Sequence, residues 1–101
     1  MPTKLVILPA AKQDTNDGFR WYESQRAGVG KRFLADVRAR LATLRRMPKA
    51  HQIVRGTCRR ALVHGWPYVI IYDYDEPNDT VIVYAVFHTS QNPLKWQGRL
   101  P

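Results

Sequence analysis

Histidines, a lone cysteine and a cluster of arginines are the side chains in this sequence with chemistry to offer. Histidine titrates near neutrality and suits proton transfer. His64 closes one strand-like run and His88 closes another. No carboxylate or serine stands at a telling spacing beside either. A satisfied strand-end histidine is the plainer reading, and His88 is the better catalytic candidate. Arg55, Arg59 and Arg60 crowd the strand-like stretch before His64. Successive strand residues point to opposite faces, so Arg59 and Arg60 cannot serve one surface. Arg55 and Arg59 could both reach a phosphate, which suits a polyanion or an acidic partner. The competing reading is a solvated strand edge whose positive charges discourage aggregation.

Metal and cofactor chemistry finds little support. His51, Cys58, His64 and His88 do not follow zinc-site spacing. Asp73, Asp75, Glu76 and Asp79 gather in one turn but do not make a calcium loop. Counting from Asp73, Asn78 replaces the sixth-position glycine and Tyr84 the twelfth-position glutamate. A solvated hairpin is the expected state. Gly28 and Gly30 precede a helix but lack the third glycine and the preceding strand of a dinucleotide-binding turn. No metal and no cofactor is expected. Cys58 is the single cysteine and cannot form an internal disulfide, which points to a reducing compartment and an inert buried thiol. Trp66, Trp96 and the tyrosines could stack on bases, although such residues are more often core.

The chain has 101 residues, the length of one domain, spanning 1–101. Its 16 Lys and Arg against 8 Asp and Glu give a net charge of +8, which favours a polyanion or acidic protein as partner. Four of the eight acids lie in the 73–79 turn, so the remainder is more basic still. No run approaches the ~18 apolar residues of a membrane span. Leu5–Leu8 is too short for a signal segment and is interrupted by Pro9 and Lys12, so a cytoplasmic protein away from membranes is expected.

These side chains need elements to position them. Residues 3–8 are β-prone, and Pro9 stops the strand and suits a helix start. A helix over about 10–26 places Ala11, Thr15, Gly18, Phe19 and Tyr22 on one face. A second, over about 29–47, carries the stripe Phe33, Val37, Leu41 and Leu44 and ends at Pro48. Residues 53–55 with 58–64, then 68–74, then 80–88 alternate as strands joined by short turns. The order β-α-α-β-β-β gives an α+β fold, a helical hairpin packed on a small, mostly antiparallel sheet. Strand parity sets Tyr68, Ile70 and Tyr72 against Val69 and Ile71, and Ile82, Tyr84 and Val86 against Val81, Val83, Ala85 and Phe87. Both faces are apolar, so the face away from the helices needs a cover. The C-terminal tail or a partner chain could supply it, and a partner peptide is expected to do so at least in part.

Order and spacing together resemble the RelE/ParE toxin superfamily over nearly the whole chain. The residues that carry the resemblance begin with Ala10-Ala11 and Asp14, then Gly28-Val29-Gly30 with Arg32-Phe33. Arg59-Arg60-Ala61-Leu62-Val63 and Trp66-Pro67-Tyr68 through Tyr72 follow, the latter close to the family's Phe-Pro-Tyr…Tyr pattern. Val83-Tyr84-Ala85-Val86-Phe87-His88 completes them, with Pro93, Trp96 and Arg99 beyond. The resemblance implies a type II toxin neutralised by a cognate ParD- or RelB-like antitoxin, touching operator DNA only through that complex. It implies antitoxin contacts at Phe33, Val37, Val69, Ile71, Val83 and Ala85, and target or polyanion contacts at Arg55, Arg59, Arg60, Gln91, Trp96 and Arg99.

The family's ribonuclease branch adds an arginine just after the tyrosine of the third of these strands and another at the end of the fourth. Here Val69 follows Tyr68, and Gln91 stands where many relatives carry arginine. Cleaving RNA needs an acid or base and a cation on the pentavalent phosphate. The resemblance is therefore closer to ParE-like members, which inhibit DNA gyrase and stabilise plasmids without being enzymes. The alternative is a ribosome-dependent messenger RNA endonuclease using Arg59, Arg60 and His88. A third possibility is a degenerate, non-toxic member that only binds antitoxin.

Overall fold

The computed structural model describes residues 3–101, so the first two residues of the expected domain lie outside the described range. The elements are β1 (Lys4–Ile7), α1 (Pro9–Gln25), α2 (Val29–Arg46), β2 (Gln52–Arg55), β3 (Cys58–Leu62), β4 (Tyr68–Asp75), β5 (Thr80–His88) and α3 (Leu94–Gln97). Pro9 opens α1 at the first helical position, where its missing N–H is not needed. Gly28 turns the chain between the helices at φ 90, a left-handed conformation natural to glycine. No residue at the start of α2 caps it. Glu23 of α1 does so instead, accepting from the N–H groups of Gly28 and Gly30 at 2.9 Å each. Those bonds, led by that from Gly28, hold its carboxyl below the usual carboxylate range. The helices cross closely at Gly30, where a Cβ would meet the Phe19 carbonyl oxygen at 2.5 Å.

The five strands lie in the order β1-β5-β4-β3-β2. β1 runs parallel to β5, and the other neighbours are antiparallel. The helical hairpin carries the chain across one face. Phe33, Val37, Leu41 and Leu44 bury their stripe against Ile70, Tyr72, Val81, Val83 and Val86. Fully burying a side chain of this size contributes roughly 1.5–3 kcal/mol. Among the described residues no helix is long and apolar enough to cross a membrane.

The structure amends three expectations while keeping the α+β class. The stretch read as one strand before His64 is a hairpin, β2 and β3, turned at Gly56 (φ 57), so the order is β-α-α-β-β-β-β with a short final helix. Strict alternation also fails in β5. Ile71 pairs with Ala85 but Tyr72 pairs with Val83, leaving Tyr84 as an extra residue in a bulge. Val83 and Val86 therefore share the helix face, while Tyr84 joins Ala85 and Phe87 on the other. Finally, the chain's own C-terminal segment covers that second face. Trp96 of α3 and Leu100 pack on Val69, Ile71, Ala85 and Phe87.

Candidate functional site

β4 and β5 end side by side, with Tyr68 opposite His88. Their rings meet edge to face, centroids 5.1 Å apart. Tyr68 fits here because residue 18 is glycine: a Cβ there would lie 2.8 Å from the Phe33 ring and 3.3 Å from the Tyr68 hydroxyl. Burial, and then the neighbouring Tyr22, Asp14 and Asp17, push the Tyr68 phenol up, so it stays a hydrogen-bond donor at neutral pH.

His88 is held by the turn that follows it. Its Nδ1 lies 3.0 Å from the Ser90 N–H, which donates to it, and 2.7 Å from the Ser90 hydroxyl. With the Ser90 N–H donating to it, Nδ1 serves as an acceptor in this arrangement. Gln91 grips the same residue twice, accepting from the His88 N–H at 3.2 Å and donating its own N–H to the His88 carbonyl at 3.0 Å. The Ser90 contact corrects the expectation that no serine stands usefully near His88. Its sequence signal was local, a hydroxyl two residues past the strand end.

His88 and Gln91 form a ridge between two clefts. One, of about 530 Å³, is walled by Trp21, Tyr22, Pro67 and Tyr68. The other, of about 220 Å³, lies on the sheet face away from the helices and contains Arg60, Val69, Phe87 and Trp96. Trp21 is 58% exposed, and sequence reasoning missed it because it sits one position off the buried stripe of α1. Of the expected site residues, Arg60, His88, Gln91 and Trp96 share the smaller cleft.

The others stand elsewhere. Arg59 points to the opposite face, where Nη1 donates to the carbonyls of Lys49 at 3.1 Å and His51 at 2.7 Å. Arg55 reaches the Gln97 carbonyl at 3.3 Å, beside the C-terminal segment. Arg99 makes a two-pronged ion pair with Asp14, at 2.6 and 3.0 Å. Trp96 presents little surface, because its ring is the plug of the second core. His64 lies in a separate cleft with Asp36 and Arg40. Burial, then Asp73, pushes the Cys58 thiol up, away from reactive thiolate. The acidic turn is divided among separate partners: Asp73 binds Thr57, Asp75 binds Asn78, Glu76 binds Lys49 and Asp79 binds Tyr74.

The residues expected to meet a partner are largely internal. Phe33 and Ala85 are fully enclosed, Phe33 by Tyr22, Trp66 and Tyr68 and Ala85 beneath Trp96 of α3. Ile71 and Val83 are likewise fully buried, beneath the Arg60 cleft and beneath a third groove beside α1 and α2, where Val69 and Val37 keep only a trace of exposure.

Chemically, the smaller cleft offers the Arg60 guanidinium and the larger one the Tyr68 ring, with the His88 imidazole between them among apolar walls. A guanidinium in such a place suits carbonyl, carboxylate or phosphate oxygens. The imidazole is poorly arranged for proton abstraction, because the Nδ1 lone pair is already occupied.

The sequence matches the family model for the ParE toxin of the type II toxin–antitoxin system parDE over residues 5–93. The fold is similar to that in the chromosomal ParDE system of Pseudomonas aeruginosa, with a TM-score of 0.77 at 10% identity over 87% of this chain and 97% of that one. It is also similar to the isolated RelE toxin of Escherichia coli, at 0.66 and 12% over 95% and 94%. The RelBE2 toxin–antitoxin complex of Mycobacterium tuberculosis gives 0.63 and 18% over 87% and 99%. Identities this low establish a shared fold alone. No curated protein matches the sequence.

Proposed function

From the premise that the chain belongs to the ParE toxin family of type II toxin–antitoxin systems, we propose that it arrests growth by binding DNA gyrase rather than by cutting RNA. A cognate antitoxin holds it inactive in the bacterial cytoplasm, and operator DNA is met only through that complex. The observation that carries this reading is the dispersal of the candidate catalytic groups. Arg59 is tied to two backbone carbonyls on the helix side of the sheet, and the Nδ1 of His88 is engaged by Ser90. Arg60 alone stays with His88. On this reading the target contact is the ridge of His88 and Gln91, with the exposed Trp21 as apolar anchor and Arg60 as cation.

The test is purified protein in a gyrase supercoiling assay, paired with pulse labelling of DNA, RNA and protein synthesis after induction. Inhibited supercoiling and early failure of DNA synthesis are the expected results. The messenger RNA endonuclease is the second reading, favoured by the one cleft that Arg60 and His88 share. Early failure of protein synthesis, with toxicity abolished by Arg60→Ala or His88→Ala, would establish it instead. Normal growth on strong expression would leave only a non-toxic, antitoxin-binding member.

A further inference from the structure

The separate cleft that holds His64, of about 290 Å³, opens between α2 and the turn joining β3 to β4. Trp66 pins that turn to the helix, its indole N–H donating to the Asp36 carboxylate at 2.7 Å. His64 thereby shares one cleft with Arg40 and Thr43. Arg40 is half-buried. The ion pairs among the described residues are Lys49–Glu76 and Asp14–Arg99, so no carboxylate neutralises it. Its surroundings are basic instead. After burial, Arg40 and then Arg59 push the His51 imidazole below its ordinary value, which places two guanidiniums near one ring. A partly desolvated charge without a counter-ion is costly, and an anion entering from solvent relieves it. Arg32 stands about 12 Å back along the same helix face, and it too has no ion pair.

The lining decides which anion fits. The cleft is walled by Asp36, Ala39, Arg40, Thr43 and His64, with no large apolar side chain to anchor an amphipathic peptide. No Trp, Tyr or Phe lines it, so it offers no platform for the stacked bases of a single strand. Thr43 gives its hydroxyl proton to the Ala39 carbonyl at 3.2 Å, which leaves the guanidinium and the imidazole as donors. Asp36 keeps its carboxylate on the Trp66 indole and is the one acid of α2 against six Lys and Arg. We infer that this cleft is a phosphate contact for duplex DNA, with Arg40 as its main cation, His64 as a second donor and Arg32 meeting the same backbone farther along α2. Phosphate contacts position a protein without reading bases, so the contact is blind to sequence and leaves operator recognition to the antitoxin complex. The inference goes beyond gyrase binding and does not depend on it. A weak hold on the duplex lets a protein slide and hop along DNA, which would keep this one near an enzyme that works there.

The probe is a short fluorescein-labelled duplex of arbitrary sequence, titrated with the full chain and followed by anisotropy from low to high salt. Arg40→Glu reverses the cleft cation, and Arg20→Glu makes the same change of charge at an exposed position on α1. Circular dichroism checks that both are folded, and Arg40→Gln supplies a milder variant. The expected result is binding by the wild type, a loss of about tenfold or more for Arg40→Glu, and less than about threefold for Arg20→Glu. His64→Ala should weaken binding about threefold. Arg40→Gln should also lower the slope of log affinity against log salt by about one, while Arg20→Gln leaves it unchanged. Equal losses in the two reversed variants, or an unaltered slope in Arg40→Gln, would mean diffuse attraction and overturn the cleft. No binding by the wild type at low salt would overturn it as well. A single-stranded RNA of the same length that binds more tightly, with the same dependence on Arg40, would give the cleft to RNA and refute the duplex. The supercoiling assay reads gyrase inhibition separately, so failure here and failure of the gyrase reading are told apart.

Discussion

Asp14 and Arg99 stand 85 residues apart in sequence, and the structure makes their pair a test of what closes the second core. Asp14 accepts Nη1 and Nη2 of Arg99 at 2.6 and 3.0 Å and the Val86 N–H at 3.1 Å. Their side chains keep 16% and 30% of their exposure, so the pair sits between the surface and buried limits. Exposed pairs contribute about 0–1 kcal/mol, and breaking a buried one costs about 3–5. Asp14→Ala removes three acceptor contacts and leaves a half-buried guanidinium and the Val86 N–H without their partner. The cost expected is about 3 kcal/mol, after a few tenths returned by alanine's helix propensity. Arg99→Ala should cost less, about 2 kcal/mol, because Asp14 still caps Val86. In the double variant no orphaned charge remains, so the coupling energy should be about 2 kcal/mol. Urea unfolding followed by tryptophan fluorescence measures all four corners. For a domain of this size Asp14→Ala should lower Tm by about 15 °C. A coupling below about 0.5 kcal/mol, or a cheaper Asp14→Ala than Arg99→Ala, would refute the argument and return the pair to the surface class.

Gly30→Ala drives a Cβ to 2.5 Å from the Phe19 carbonyl oxygen, a backbone atom that cannot step aside. A loss of roughly 2–4 kcal/mol in thermal unfolding is expected, and a neutral or stabilising outcome would disprove the close helix crossing. Burial first, then Arg40 and Arg59, pushes the His51 imidazole below its ordinary value. Folding therefore prefers the neutral ring, so stability is full above about pH 6.5 and declines as pH falls below it. His51→Gln should flatten that decline, and NMR should show the ring titrating below the unfolded value. Glu23 has its carboxyl depressed by the α2 N–H groups. Its contribution is present above the unfolded value near pH 4.3 and lost as pH falls through the lower folded one. Glu23→Gln should give a shallower acid limb in Tm against pH. Trp21→Ala should leave the fold intact, since the ring is mostly exposed, while weakening gyrase inhibition at least tenfold. Unchanged inhibition would move the target contact elsewhere.

The elements legible in the sequence were those whose signal is local and one-sided. The α2 stripe from Phe33 to Leu44 has a single buried face, and Pro48 marks its end, so period and stop agree with the structure to one residue. β4 and β5 are continuous β-branched and aromatic runs and read as strands at once. What failed was face assignment. Val83 to Phe87 is apolar at every position, so nothing in residue type shows that Tyr84 is an extra residue and parity shifts there. The β2–β3 hairpin was hidden because Gly56 and Thr57 make so short a break. Arg60, His88 and Gln91 were singled out through the family resemblance, and it is the sheet order β5-β4-β3 that brings them to one cleft. The Asp14–Arg99 pair did not, because no local rule joins residues that far apart.

The same geometry decides how several of the expected site residues are engaged within the fold. β1 accompanies β5 only as far as Val83, and the chain then leaves for α1. Among the described residues the outer edge of β5 beyond that point has no strand beside it, and open edges invite pairing with other chains. Here side chains fill the place of a strand. Arg99 donates to the Tyr84 carbonyl at 3.4 Å, Asp14 accepts the Val86 N–H, and Gln91 accepts the His88 N–H. Arg99 and Gln91 thus spend part of their hydrogen-bonding capacity on the backbone. Arg59 does likewise for the 49–51 carbonyls. A guanidinium held by carbonyls keeps its charge and so still adds to the long-range field, but its directed donors are no longer free for a ligand. Net charge and free directed donors are therefore carried by different residues: the engaged guanidiniums still add to the long-range field, while an exposed cation such as Arg60, beside an apolar cleft, keeps donors to offer.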